Sequence, residues 1–345
     1  MLALRGRVFT PSEESDTVVI DGDRVVAVGG PVPPGAEVIE AEIVAPGFID
    51  LQINGAFGID ILSEPGRLGE LARQLPRTGV TAFLPTLVSA AHYPVLDPEV
   101  APGAARPLGI HYEGPFLGRA GAHDPAALRP PRDEPFLASA RLVTLAPELP
   151  GALALIETLA ARGVSVAVGH TGATFDQARA AIEAGARIAT HLFNAMTPLH
   201  HRAPGAAAAF LLDPRCTSTL ICDGAHVHPA VVELASRCGR IVLVTDSVAP
   251  RLAGRDLRLE GGAYRLADGT LAGSALTMDQ AVRNYRRFTG CGIAEALAAA
   301  TLAPALALGL AHHGRLQPGA AADVVLLDAE LRVQGAYVGG VRSPA

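Results

Sequence analysis

The strongest constraint on this chain is a repeated unit: a short, largely apolar run with a polar residue at or near its end. Eight such runs occur in order, VAPGFIDLQI, GVTAFLPTL, RPLGIHYE, RLVTLAPE, GVSVAVGH, ARIATHLF, CTSTLICDG and GRIVLVTDS. Strands that are apolar at every position, rather than at alternate ones, are covered on both faces, as in parallel sheets flanked by helices. Helix-like segments such as RLGELARQLPRTG, GALALIETLAARG and TFDQARAAIEAG separate several of the runs. Eight alternating units predict closure into a (β/α)8 TIM-like barrel. A barrel of about 250 residues leaves room for a smaller unit in a chain of 345.

That smaller unit is expected from the two ends. Residues 1–45 read as short strands, LALRGRVFT, DTVVIDGDRVVAVGG and AEVIEAEIVA, with Gly22-Asp23 as a hairpin turn. The last stretch repeats the style, with strand-like runs at 323–328 and 331–338. Both ends are therefore expected to form one small β-sandwich domain (1–45 and 311–345) around a catalytic barrel at 46–310, since chain termini often lie close together.

The polar residues at the run ends are Gln52, Asn54, Thr86, Glu113, Glu148, His170, His191, Asp223 and Asp246. They gather at the carboxyl end of the strands, the face on which barrel enzymes carry their chemistry. A lone histidine beside a strand is commonly a hydrogen-bonded core residue. Two at the ends of successive strands, about 4.8 Å apart, can converge on one ion, and Glu113 supplies a third donor of suitable type. Asp246 follows the most apolar strand, where an unpaired carboxylate would be costly. It is either a base acting on water at that ion or, with Ser247, an ordinary helix cap.

Composition removes other classes. All 28 basic residues are arginine, so neither a lysine Schiff base nor a carboxylated lysine bridging two metals is available. A net charge of −6 leaves no basic face for nucleic acid. Cys216, Cys222, Cys238 and Cys291 show no CxxC spacing, and the N-terminal MLALRGRVFTPSEES lacks the apolar core of a signal peptide. Both point to a cytoplasmic protein. The longest apolar stretch, IAEALAAATLAPALALGL, contains Glu295 and Pro304 and is expected to be a helix pair, not a membrane span.

Nine ordered strings, PGFIDLQINGAFG, LGIHYEGPFL, GAHDP, TLAPE, VGHTGAT, THLFNAM, DGAHVH, LVTDSVAP and LAGSALTM, resemble the N-acetylglucosamine-6-phosphate deacetylases of the amidohydrolase superfamily. The resemblance runs from about residue 44 to 310. It implies that Glu113, His170 and His191 bind one divalent ion per subunit, zinc or iron(II). Asp246 would take a proton from the attacking water and pass it to the departing amine, and His123 would stabilise the oxyanion. Ala122, Leu271, Ala272 and Gly273 would contact the sugar. Asn194, Ala195, Arg202 and His226 would hold the 6-phosphate, one basic contact commonly crossing a dimer interface in that family. The implied partners are a phosphorylated amino sugar and a second copy of the chain, while charge and the lack of an apolar span already speak against nucleic acid and membrane. Read without the resemblance, Arg202 is an ordinary loop arginine.

One departure is informative. Many amidohydrolases carry His-x-His at the end of the first strand, where this chain has Gln52-Ile53-Asn54. Amides are poorer metal ligands than imidazoles, so a single tightly held ion is expected. The rival readings are a deacetylase of another N-acetylated sugar or N-acyl amino acid, and a catalytically silent barrel that serves as a scaffold.

Overall fold

The computed structural model describes residues 1–344; Ala345, the last residue of the expected C-terminal portion, lies outside the described residues. All eight apolar runs form strands of one parallel sheet. They are β1 (Phe48–Ile53), β2 (Val80–Val88), β3 (Ile110–Glu113), β4 (Ala140–Leu145), β5 (Ser165–Val168), β6 (Ile188–Ala189), β7 (Thr217–Ile221) and β8 (Ile241–Val244). Each pairs in parallel with the next, and Arg106–Pro107 adds a short ninth strand beside β2. Every residue of β1, β2 and β8 is buried, which is why these runs are largely apolar, and the polar exceptions in β1, Asp50 and Gln52, are hydrogen-bonded.

The sheet is a nearly closed barrel. Between β8 and β1 the described residues form one bridge, Ile53 with Ser247. At the opposite end of the seam the link between helices Ile293–Ala298 and Leu302–Ala307 stands in for a partner strand. There Ile49 N–H donates to Ala300 O and Leu243 N–H to Ala299 O, both at 2.8 Å. These two helices are the pair expected from the long apolar stretch.

Helix Phe175–Ala184 illustrates how local sequence sets the outer layer. Thr174 and Gln177 form a reciprocal capping box at its start, and Ala178, Ala181 and Ile182 face the barrel. Gly185, at φ 125°, ends it in a conformation that side chains disfavour.

Both chain ends meet in one seven-stranded sheet. Strand Val324–Leu327 lies antiparallel to Glu37–Pro46, which in turn runs parallel to Leu2–Phe9. The hairpin at Gly22-Asp23 joins Glu14–Asp21 to Arg24–Val28. The sheet curls so that this edge returns to the segment before Val324: Val25 N–H donates to Ala320 O at 3.0 Å. A separate small core of Leu4, Val8, Val18, Ile20, Val44 and Val324 fills the curl.

The sequence reading did not resolve residues 251–274. They form a hairpin, Arg251–Leu252 with Arg255–Asp256, and a three-stranded sheet, Arg258–Glu260, Ala263–Arg265 and Leu271–Ser274. Leu252, Leu257 and Ala272 pack with Val88, Ala122 and Val248, laying this insertion over the carboxyl end of the barrel.

Candidate active site

Glu113 is the last residue of β3, while His170, His191 and Asp246 each stand two residues beyond a strand, after β5, β6 and β8. All three of the latter are in the left-handed region, with φ of 48°, 32° and 47°. For non-glycine residues this costs on the order of 1 kcal/mol or more each, and such strain clusters at functional sites.

Glu113 Oε1 lies 2.8 Å from His191 Nε2 and 3.2 Å from His170 Nε2, and the two Nε2 atoms are 3.1 Å apart. Three donors about 2.1 Å from one tetrahedral ion would stand about 3.4 Å from each other, so this triangle is a slightly contracted coordination face. His170 Nδ1 is 3.0 Å from Arg119 O, a carbonyl that can only accept. The ring proton is therefore on Nδ1, and the Nε2 lone pair faces the other two donors. Lone pairs so arranged repel one another unless a proton or a cation sits between them. Among the described residues this is the one group of three such side chains able to hold a metal. Burial by itself would raise the Glu113 carboxyl, but the imidazoles of His123, His170 and His191 packed against it outweigh burial and hold the group well below the usual carboxylate range.

The two amides at the end of β1 donate to the carboxylates of the site. Gln52 Nε2 donates to Glu113 Oε1 at 3.1 Å and to Asp246 Oδ1 at 3.0 Å, and Asn54 Nδ2 donates to the same Asp246 oxygen at 2.7 Å. Asp246 is buried, and burial first, then the charge of Glu113, push its carboxyl up to about 6. The sequence reading set Gln52 and Asn54 aside as weak ligands. Their position opposite Asp246 on the barrel seam was the signal that could have assigned them to the carboxylate instead.

His123 is reached from Ser89, another residue the sequence reading passed over. Ser89 N–H donates to His123 Nδ1 at 3.1 Å, with Ser89 Oγ also 2.9 Å away. An Nδ1 that accepts from a backbone N–H carries no proton, so neutral His123 is protonated at Nε2, 3.6 Å from Glu113 Oε2. Burial lowers this imidazole to about 4, which keeps it a neutral N–H donor.

These groups open on one cavity of about 280 Å³. Ala122, Asn194, Ala195, His226, Leu271, Ala272 and Gly273 line it together with Glu113, His123, His170, His191 and Asp246. Ala195 takes φ 49°, and its carbonyl accepts from Thr171 N–H at 2.9 Å, which docks the loop after His191 beside that of His170. His226 Nδ1 is 2.6 Å from Asp223 Oδ2, a pairing that fixes its ring. Gly273 could not be replaced freely: at φ 94°, an added Cβ would stand 2.8 Å from Asp246 O.

Arg202 is the one expected site residue that the fold of the single chain does not bring to the cavity. It is exposed, with Nη1 2.7 Å from His201 Nε2. His111 is fully buried beneath the site, where Nε2 meets Thr144 Oγ1 at 2.8 Å, a structural placement. Glu148 accepts from Gly172 N–H at 2.6 Å and from Thr171 Oγ1, shaping the mouth of the barrel.

The amidohydrolase family profile matches residues 43–342. This chain belongs to the amidohydrolase family. Amidohydrolases are metal-dependent, in keeping with the Glu113, His170 and His191 cluster. Similar proteins include the N-acetylglucosamine-6-phosphate deacetylase of Danio rerio, 41% identical over 87% of this chain and 84% of its own. The N-acetylgalactosamine-6-phosphate deacetylase of Escherichia coli O157:H7 is 39% identical over 92% of each. Among solved structures, N-acetyl-D-glucosamine-6-phosphate deacetylase from Mycobacterium smegmatis superposes with TM-score 0.89 at 34% identity over 100% of both chains. The Thermotoga maritima N-acetylglucosamine-6-phosphate deacetylase gives 0.87 at 31% identity over 99% of each. Among the described residues no helix of this amidohydrolase is long and apolar enough to cross a membrane.

Proposed function

We propose that this amidohydrolase removes acetate from N-acetyl-D-glucosamine 6-phosphate, giving D-glucosamine 6-phosphate. The observation that carries the reading is the meeting of the Glu113, His170 and His191 donors within about 3 Å of one another, on a cavity that Asp246 and His123 share. The buried donor set of two imidazoles and a carboxylate fits one divalent ion, zinc or iron(II). Bound there, the ion would supply Lewis acidity, polarising the amide carbonyl and acidifying water.

The chain's own residues supply the remainder. Asp246, held by Gln52 and Asn54 through Oδ1, accepts a proton from the attacking water at its other oxygen and then delivers it to the amine. A carboxyl that titrates near 6 suits both roles, being ionised at neutral pH yet able to carry a proton between the two steps. His123 Nε2–H donates to the carbonyl oxygen as negative charge develops. Ala122, Leu271, Ala272 and Gly273 form the sugar side of the cavity. Asn194, Ala195 and His226 form the phosphate side. Among the described residues no arginine lines the cavity of one chain, and we assign the Arg202 contact across a homodimer, each copy completing the other's phosphate site. We place the enzyme in the cytoplasm, in line with its free cysteines.

Acetate release from this substrate by the zinc- or iron-loaded protein tests the reading; no release would end it. The similarity to an N-acetylgalactosamine-6-phosphate deacetylase over 92% of the chain favours a second substrate. The 4-epimer is therefore the comparison arm, and a larger kcat/KM for it would reassign the sugar while keeping the reaction.

A further inference from the structure

The seam of the barrel holds a buried carboxylate that the reaction does not use directly. Between β8 and β1 the described residues offer one bridge. Residues from both sides of the seam, Asp50 and Ile53 on one and Thr245 and Ser247 on the other, line part of a cavity of about 170 Å³. Asp50 crosses the seam. Its Oδ1 accepts from Gln52 N–H at 3.1 Å on its own strand and from Thr245 N–H at 3.3 Å on the far side. Its Oδ2 accepts from the Thr245 hydroxyl at 2.6 Å. Both tethered residues lead into the site: Gln52 carries the amide that touches Glu113 and Asp246, and Thr245 directly precedes Asp246.

We infer that Asp50 is a positioning residue: by holding Gln52 and Thr245 across the unladdered seam, it sets Asp246 against the Gln52 amide. The role is geometric. Asparagine at this position keeps its carbonyl oxygen for both N–H donors and turns its NH2 toward the Thr245 hydroxyl oxygen, which can accept. Alanine frees all three donors.

The inference rests on the deacetylase reading for its kinetic test alone. In the metal-loaded enzyme, Asp50→Ala should lower kcat roughly 10- to 100-fold with little change in KM, the cost of misplacing a reacting group by a fraction of an ångström to an ångström. Asp50→Asn should stay within about threefold of wild type. Because Asp50 acts in part through Gln52, the loss in the Asp50→Ala/Gln52→Ala double variant should be clearly smaller than the product of the two single losses. If Asp50→Ala does not fold, Thr245→Val against Thr245→Ser gives the same contrast, the serine restoring the hydroxyl.

A readout independent of substrate is the visible spectrum of the cobalt(II)-substituted protein. Asp50→Ala should alter its bands through the Gln52 contact to Glu113, and Asp50→Asn should leave them as in wild type. Equal damage by Asn and Ala would mean that charge or a proton is used, and would overturn the inference. So would fully additive effects with Gln52→Ala, or unchanged cobalt bands in Asp50→Ala. If wild type releases no acetate, the function falls, and the cobalt bands still decide the role of Asp50.

Discussion

Asp246→Asn is the substitution that best isolates the proton transfers. Gln52 and Asn54 both donate to Oδ1 of Asp246, at 3.0 and 2.7 Å, and among the described residues none donates to Oδ2. The asparagine carbonyl can occupy the Oδ1 place and keep both hydrogen bonds. The change then falls on the one oxygen left for water and amine, and an NH2 there cannot accept a proton. A positioned acid or base contributes about 10²- to 10⁴-fold. In the proposed mechanism Asp246 serves in both transfers, so the upper half of that range is expected. At about 1.4 kcal/mol per decade, a kcat loss of roughly 10³- to 10⁴-fold is about 4 to 5.5 kcal/mol of transition-state stabilisation. KM should change little, and the metal content should not change. Acetate release with elemental analysis of the same preparation measures all three. A kcat within tenfold of wild type would refute the assignment, and loss of the ion would make Asp246 a ligand instead.

The same group sets the acid limb of the pH profile. The proposed mechanism needs Asp246 ionised, so kcat/KM should fall as pH drops through a midpoint at or below about 6, because a bound cation can only lower the value that burial raises; a midpoint above 7 would contradict this. His123→Ala removes the Nε2–H donor and should reduce kcat about 10²- to 10³-fold with metal retained, a loss checked by steady-state kinetics. Arg202→Ala should raise KM about 10- to 100-fold for the phosphorylated sugar and leave the unphosphorylated sugar unaffected, as expected for loss of a charge-assisted contact. Burial pushes Asp50 up to about 7 from an ordinary 3.8, against hydrogen bonds from Thr245 and Gln52. The folded state therefore binds the proton more tightly than the unfolded chain. Stability from this group is full below about pH 4 and is lost as pH rises toward 7, by about 4 kcal/mol at about 1.4 kcal/mol per pH unit. Denaturant unfolding of Asp50→Asn at pH 4.5 and 7.5 should show that dependence flattened.

The barrel was legible because its strands are buried on both faces and so leave continuous apolar runs; even two-residue β6 was marked by ARIATHLF. The clustering of Glu113, His170 and His191 was legible because each sits at or just beyond the carboxyl end of a strand. The insertion at 251–274 was not, since its strands are two to four residues long and RLAGRDLRLEGG has no clear period. The roles of Gln52, Asn54 and Ser89 were hidden for another reason. An amide that donates to a carboxylate 194 or 192 positions away, or a backbone N–H that fixes a tautomer 34 away, leaves no local pattern. Arg202 was singled out by resemblance, and a single chain does not carry it to the cavity.

The account stands on an ion at Glu113, His170 and His191, and metal stoichiometry tests that most directly. Elemental analysis of the purified protein should find one zinc or iron per chain. A chelator should remove the ion together with acetate release, and a Glu113→Ala/His170→Ala/His191→Ala variant should bind none. A metal-free protein that deacetylates at the full rate, or a triple variant that keeps its ion, would contradict the account.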